Sequence, residues 1–98
     1  MIEPAHFVYI MAPTKAQRPV KVGISNDPWK RLASVQTGSP IKLEVVEIYG
    51  CESRDEATAL ERKFHDHHRA VRLSGEWFNI TADDANYWLF CDQVVWPE

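Results

Sequence analysis

Cysteine is scarce in this chain and long apolar runs are missing, and each absence narrows what it can be. The two cysteines, Cys51 and Cys91, lie far apart and form no C-x-x-C unit. That argues against a disulfide scaffold or a four-ligand zinc site, and both are expected as reduced, partly buried thiols. No stretch approaches the roughly 18 consecutive apolar residues that cross a bilayer, so no membrane partner is expected. Met1-Ile2-Glu3-Pro4-Ala5-His6 lacks the basic start and apolar run of a signal peptide, and the expectation is a cytoplasmic location. Excess positive charge is missing too, the formal net charge being −3. Phosphate contacts dominate affinity for DNA, so this balance argues against a uniformly basic nucleic-acid binder. A local basic face matters more than the total, however. Repeats, linkers and low-complexity tracts are absent as well.

What is present reads as an ordinary globular chain. Ninety-eight residues make one domain (1–98), too short for two independent cores. The composition is 45% hydrophobic, 11% aromatic and 26% charged, and its 11 Lys and Arg are enough to build one basic face.

The chain is organised around Phe7 to Arg31. Phe7-Val8-Tyr9-Ile10-Met11 reads as a strand without clean alternation, as expected where both faces are covered. Ala12 to Pro19 has two prolines and polar residues, and predicts a loop between antiparallel strands. Its length suggests a mobile flap carrying Lys15 and Arg18. Val20 to Ser25 is a second strand, interrupted by Gly23, and glycine there marks a bulge or a close approach by another group. Asp27 can then cap a helix with Pro28 at its first position. Trp29, Leu32, Ala33 and Gln36 share one side of that helix, which ends at Gly38 ahead of Pro40.

Ile41 to Tyr49 is a third strand, closed by Gly50. Ser53 to Glu56 is a capping box opening a second helix, whose Ala57, Leu60 and Phe64 fall on one buried stripe. Glu61, Arg62 and His65 occupy the adjacent stripe. After a turn at Ser74-Gly75, Glu76 to Ile80 is a short, aromatic, extended segment. Thr81 with Asp84 starts a last helix (82–93) that turns Ala85, Trp88, Leu89 and Val95 or its neighbours to the core. The order β-β-α-β-α-(short β)-α predicts an α+β fold. Its sheet should be small, three-stranded and mainly antiparallel, with helices packed against it.

Val8-Tyr9-Ile10, then Lys21-Val22-Gly23-Ile24-Ser25, then Arg31-Leu32 resembles the GIY-YIG nuclease superfamily. More narrowly, it resembles the compact phage-type branch in which the second tyrosine is commonly replaced by lysine. Leu60-Glu61-Arg62-Lys63-Phe64-His65 and Gly75-Glu76-Trp77-Phe78-Asn79 match that branch too, so the resemblance covers roughly residues 6 to 81. Each piece alone is weak, and their order and spacing together are fairly specific. Two triplets depart from the family pattern, one reading Phe-Val-Tyr at 7–9 and the other Lys-Val-Gly at 21–23.

The resemblance implies a DNA endonuclease that uses one divalent cation, Mg2+ or Mn2+. Tyr9 would be its general base, a neighbouring Lys21 ammonium and a metal-bound phosphate environment together lowering the phenol pKa from near 10. Lys21 could also orient water or hold a phosphate oxygen as a point charge. Arg31 offers a planar fork suited to phosphate, above a helix N-terminus that attracts anions. Ser25, Asn26 and Lys30 would add phosphate contacts. Glu61 is the expected metal ligand, a single carboxylate completed by water and phosphate oxygens. Asn79 and His65 would support the site. Read without the resemblance, the same residues are ordinary: a strand tyrosine with its hydroxyl at the rim, an outward lysine, a surface arginine and a solvated helical glutamate.

Glu61-x-Lys63 imitates another nuclease motif, but on a helix those residues diverge by about 200 degrees, which excludes that reading. Other readings remain open. His65, His67 and His68 with Glu61 could form a transition-metal site. Trp29, Trp77, Trp88 and Trp96 could stack on bases, although tryptophans mostly serve cores and interfaces. A non-catalytic nucleic-acid-binding or partner-binding module on the same fold is the main alternative to an enzyme. A fragment active only within a larger complex is a third.

Overall fold

An unbroken apolar run such as Phe7–Ala12 is accommodated where both faces of a strand are covered. The computed structural model, which describes residues 5–93, places it there. Strand β1 (His6–Pro13) lies between β2 (Val20–Ser25) and β3 (Leu43–Cys51), antiparallel to both. Two short strands, β4 (Arg72–Ser74) and β5 (Trp77–Phe78), continue the sheet beyond β2. Among the described residues the order is β3-β1-β2-β5-β4, antiparallel throughout. The fold is therefore α+β, with five strands where the sequence predicts three. β4 escapes a sequence reading because its three residues are all exposed and leave no alternation to detect. Gly75, at φ +53°, supplies the left-handed turn between β4 and β5.

Alternation along β1 and β2 separates two faces. Val8, Ile10, Val20 and Val22 face α2 (Arg54–His67) and α3 (Ala82–Gln93), meeting Leu60, Phe64, Phe78 and Leu89 in the core. Tyr9 and Met11 point the other way, and there Tyr9 meets Arg31 of α1 (Pro28–Thr37). All three helix starts form as the sequence predicts. The side chains of Asp27, Ser53 and Thr81 each accept a backbone N–H three residues on, at 3.1 Å.

Several local expectations change. β3 starts at Leu43 and runs through Gly50 to Cys51, because Gly50 keeps its register opposite Phe7. Helix α1 buries only Pro28, and its Trp29 and Ala33 are exposed. Gln36 instead fastens that helix to the sheet: its Nε2 donates to the Ile41 carbonyl (3.0 Å) and its Oε1 accepts from Leu43 N–H (2.8 Å). The loop expected as a free flap is tied down at both ends, Thr14 N–H donating to Lys42 O and Ala82 N–H to Gln17 O. Val95 lies outside the described residues. Cys51 and Cys91 are both unbridged. Among the described residues no helix is long and apolar enough to cross a membrane.

Candidate active site

Strand β2 runs past its neighbour, and the site lies where it does so. β5 pairs only with Val20 and Lys21, and one further bond runs from Val22 N–H to Glu76 O (3.0 Å). The Val22 carbonyl then faces the notch and accepts from His65 Nε2 of α2, 3.0 Å away. A carbonyl can only accept, so that nitrogen carries the proton. The His65 ring also rests against Phe78, with centres 4.9 Å apart. Glu61, one turn earlier on the same face of α2, is thereby presented to Glu76.

Glu76 is the hub. Its Oε1 accepts from the Tyr9 hydroxyl at 3.4 Å and pairs with Lys21 Nζ at 3.1 Å. The Glu61 carboxyl stands near enough to Glu76 to have its titration shifted by it, and the Arg31 guanidinium of α1 and the Tyr9 hydroxyl stand near enough to shift each other's. Gly23, directly across from Tyr9 in the ladder, leaves room for this meeting. A Cβ there would stand 2.5 Å from both the Tyr9 hydroxyl oxygen and Glu76 Oε1.

The charges in this cluster are not balanced. Burial first, and then the Glu76 carboxylate, push the Tyr9 phenol up to about 12, with Arg31 opposing. This corrects the expectation that Lys21 lowers it, since the Lys21 ammonium is paired with Glu76 and a buried phenol facing a carboxylate keeps its proton. Glu61 is pushed from 4.5 up to about 7, by burial and then by Glu76, against weaker pulls from Lys21 and Arg62. One of its oxygens, Oε2, is buried with no hydrogen-bond partner.

A consequence for stability follows from Glu61. The folded chain binds this proton more tightly than the unfolded chain does. The stabilising contribution is therefore complete below about pH 4.5 and is lost as pH rises through about 7. Replacing Glu61 with Gln should flatten that decline. The variant should melt higher than the native chain at pH 8, by about 1 kcal/mol after discounting for the water that reaches this half-buried group. Thermal melts from pH 4 to pH 9 would show it, and parallel curves for the two proteins would contradict it.

The other expected site residues divide. Ser25, Asn26 and Lys30 line one shallow groove of about 260 Å3 with Asp27, Arg31 and Ser34. Arg31 joins that groove to the cluster. Ser25 Oγ accepts from Asp27 N–H (2.9 Å), so its hydroxyl also shapes the helix entry. His65 is brought to the notch as a strut, with Nε2 engaged on backbone. Asn79 is not brought in: it is exposed, its N–H donates to Val71 O (2.8 Å), and it lies at the other end of β5 from Glu76. The carboxylate that the sequence reading passed over is Glu76. An acid between a turn glycine and an aromatic strand was a weak signal, and only the pairing of β5 with β2 brings it to Lys21.

Glu61 and Glu76 are the pair that could hold a divalent cation, so there are two acids here rather than the single one expected. A partnerless buried oxygen and two adjoining carboxyls fit a hard cation, which keeps much of its own water. Among the described residues no group of three or more His, Cys, Asp or Glu is placed to hold a metal. The histidine alternative fails on geometry, with His65 on Val22 O and His68 Nδ1 on Phe64 O (2.9 Å).

The family model described as the T5orf172 domain matches residues 6–91. No curated protein and no solved structure matches the chain.

Proposed function

The chain belongs to the T5orf172 domain family, and from that membership and the geometry of the notch we propose that it is a GIY-YIG-type endonuclease. It would hydrolyse DNA phosphodiester bonds with the help of one divalent cation, Mg2+ or Mn2+. One observation carries the reading. Tyr9, Lys21, Arg31, Glu61 and Glu76, from β1, β2, α1, α2 and the turn before β5, meet at the place where Gly23 leaves space.

Phosphodiester hydrolysis needs a held phosphate, an acceptor for a proton from water, and positive charge where oxygen gains negative charge. Arg31 and the groove at the start of α1 hold the phosphate, with Lys30 and the Ser25 and Asn26 side chains beside them. A phenol raised to about 12 does not act as a free tyrosinate at neutral pH. It acts instead as a positioning group: its hydroxyl donates to Glu76 Oε1, and that partly exposed carboxylate accepts the proton of the attacking water. The water oxygen bonds to phosphorus and the bond to the leaving oxygen breaks. Lys21 steadies Glu76. Glu61, through its partnerless Oε2, would hold the cation, with Glu76 alongside. A divalent cation bound there supplies Lewis acidity for the negative charge that develops on the leaving oxygen.

The second reading is a DNA-binding module without cleavage, and the groove at the start of α1 favours it because that groove needs no chemistry to bind phosphate. Supercoiled plasmid with Mg2+ or Mn2+ separates the two. Nicking that a chelator abolishes supports the endonuclease. Binding without nicking, indifferent to the chelator, supports the module.

A further inference from the structure

On the Lys21 side of the notch an apolar trough runs away from the cluster. Its near end is the half-buried Trp77, whose ring centre lies 5.7 Å from Lys21 Nζ. Ile41 and Leu73, each 57% exposed, form its walls, and Pro13 and Pro19 lie between its two hollows of about 280 and about 440 Å3. At the far end stand Lys15, Arg18 and Lys42. No acid lines either hollow, although the chain as a whole carries net charge −3. None of these three cations joins an ion pair among the described residues.

An aromatic ring and aliphatic walls, bounded by unpaired cations and free of carboxylates, match a strand whose bases are unpaired. Unpaired bases present apolar faces to stack, and their phosphates seek positive charge. A blunt duplex hides those faces inside its own stack. A protein segment of ordinary composition would not call for a rim of one sign. We propose that this trough binds unpaired nucleobases of the DNA strand that passes through the notch, so that the chain prefers DNA with a single-stranded segment beside the cleaved phosphate. The inference rests on the endonuclease reading for its second half only. Trp77 stacks on the first base beyond the notch, Ile41 and Leu73 flank the next, and the three cations follow the backbone.

The test reads binding alone. Fluorescence anisotropy with the full chain, in chelator, compares a short oligo(dT) with a blunt duplex of equal length. The native chain should favour oligo(dT). The double variant Ile41→Ser, Leu73→Ser changes two exposed side chains and should keep the native melting temperature. It should lose about tenfold in oligo(dT) affinity, the scale of the apolar contact that two aliphatic walls lose against bases, while duplex affinity changes by less than about twofold. Phe90→Ser, an equally apolar and 60% exposed position on α3, should change neither. Equal losses for both DNAs, or no loss for either, would overturn the proposal. So would self-association of the native chain that the double variant abolishes without altering oligo(dT) affinity, which would assign the trough to a second copy. Plasmid nicking is scored separately, so failure of the trough and failure of the endonuclease are told apart.

Discussion

Gly23→Ala should abolish cleavage, at a loss of more than about 100-fold, in a chain that still folds and still binds DNA. The expected size follows from removing one positioned proton-transfer group. The new Cβ would sit 2.5 Å from the Tyr9 hydroxyl oxygen, 2.8 Å from its ring carbon Cζ and 2.5 Å from Glu76 Oε1. Tyr9 is fully buried in the central strand and has nowhere to retreat. Glu76 is the softer neighbour, and its displacement breaks the Tyr9–Glu76 bond and the Lys21–Glu76 pair together. Overpacking of this kind costs about 1–3 kcal/mol, which in a chain of this size lowers the melting temperature by roughly 4–8 °C per kcal/mol. The groove at the start of α1 shares no residue with the clash, so affinity for DNA should change by less than about threefold. Single-turnover cleavage, a thermal melt and a binding titration on the same preparation check all three. Cleavage at the native rate in the alanine variant would mean that the phenol and the carboxylate need not meet at Gly23.

Glu76→Gln should have the second large effect, because four of the cluster's groups answer to that one carboxylate. Cleavage should fall by about 100- to 10,000-fold, as expected for loss of a proton acceptor. The titration of the neighbours distinguishes this from a general disturbance. Glu61 is held at about 7 by burial and by Glu76. With the second carboxylate gone its midpoint should fall towards 4.5, stopping short because burial remains. Tyr9 should also fall from about 12 while staying above 10.0, since burial is the larger cause of its rise. Carboxyl and tyrosine-ring NMR signals followed from pH 3 to pH 12 would report both midpoints. Stability near neutral pH should change by about 1 kcal/mol or less, because loss of the Lys21–Glu76 pair is offset by relief of the strain on Glu61. An unmoved Glu61 midpoint would show that the two carboxyls are not coupled.

The fold was readable where local chemistry decides local structure. Each cap residue formed the bond that its type requires, and the β1 run was apolar on both faces because both faces are covered. Gly23 was legible as a place of close approach, and the structure supplies the groups that approach. What could not be read were features set by pairing across distance. β4 is three exposed residues with no periodicity of their own. Gln36 looked like one residue on a helix face and is a hydrogen-bonded latch on Ile41 and Leu43. Glu76 stood in plain view, yet its importance depends on β5 joining β2, which places a carboxylate from residue 76 on a lysine at 21 and a phenol at 9. Burial in the central strand is the main reason the Tyr9 pKa moves up rather than down, and the same long-range pairing adds to it by placing the Glu76 carboxylate beside the phenol and on the Lys21 ammonium.

The most direct measurement is the single-turnover rate at which the purified chain cuts DNA in Mn2+, set beside that of Arg31→Ala. Arg31 is exposed on α1, so its loss should leave the fold intact while removing a guanidinium that faces both the phenol and the phosphate groove. Cleavage by the native chain that needs the cation, falling at least about 100-fold in the variant at an unchanged melting temperature, is the result expected of the convergent site. Equal rates for the two proteins, or binding by the native chain with no cleavage in any divalent cation, would contradict it.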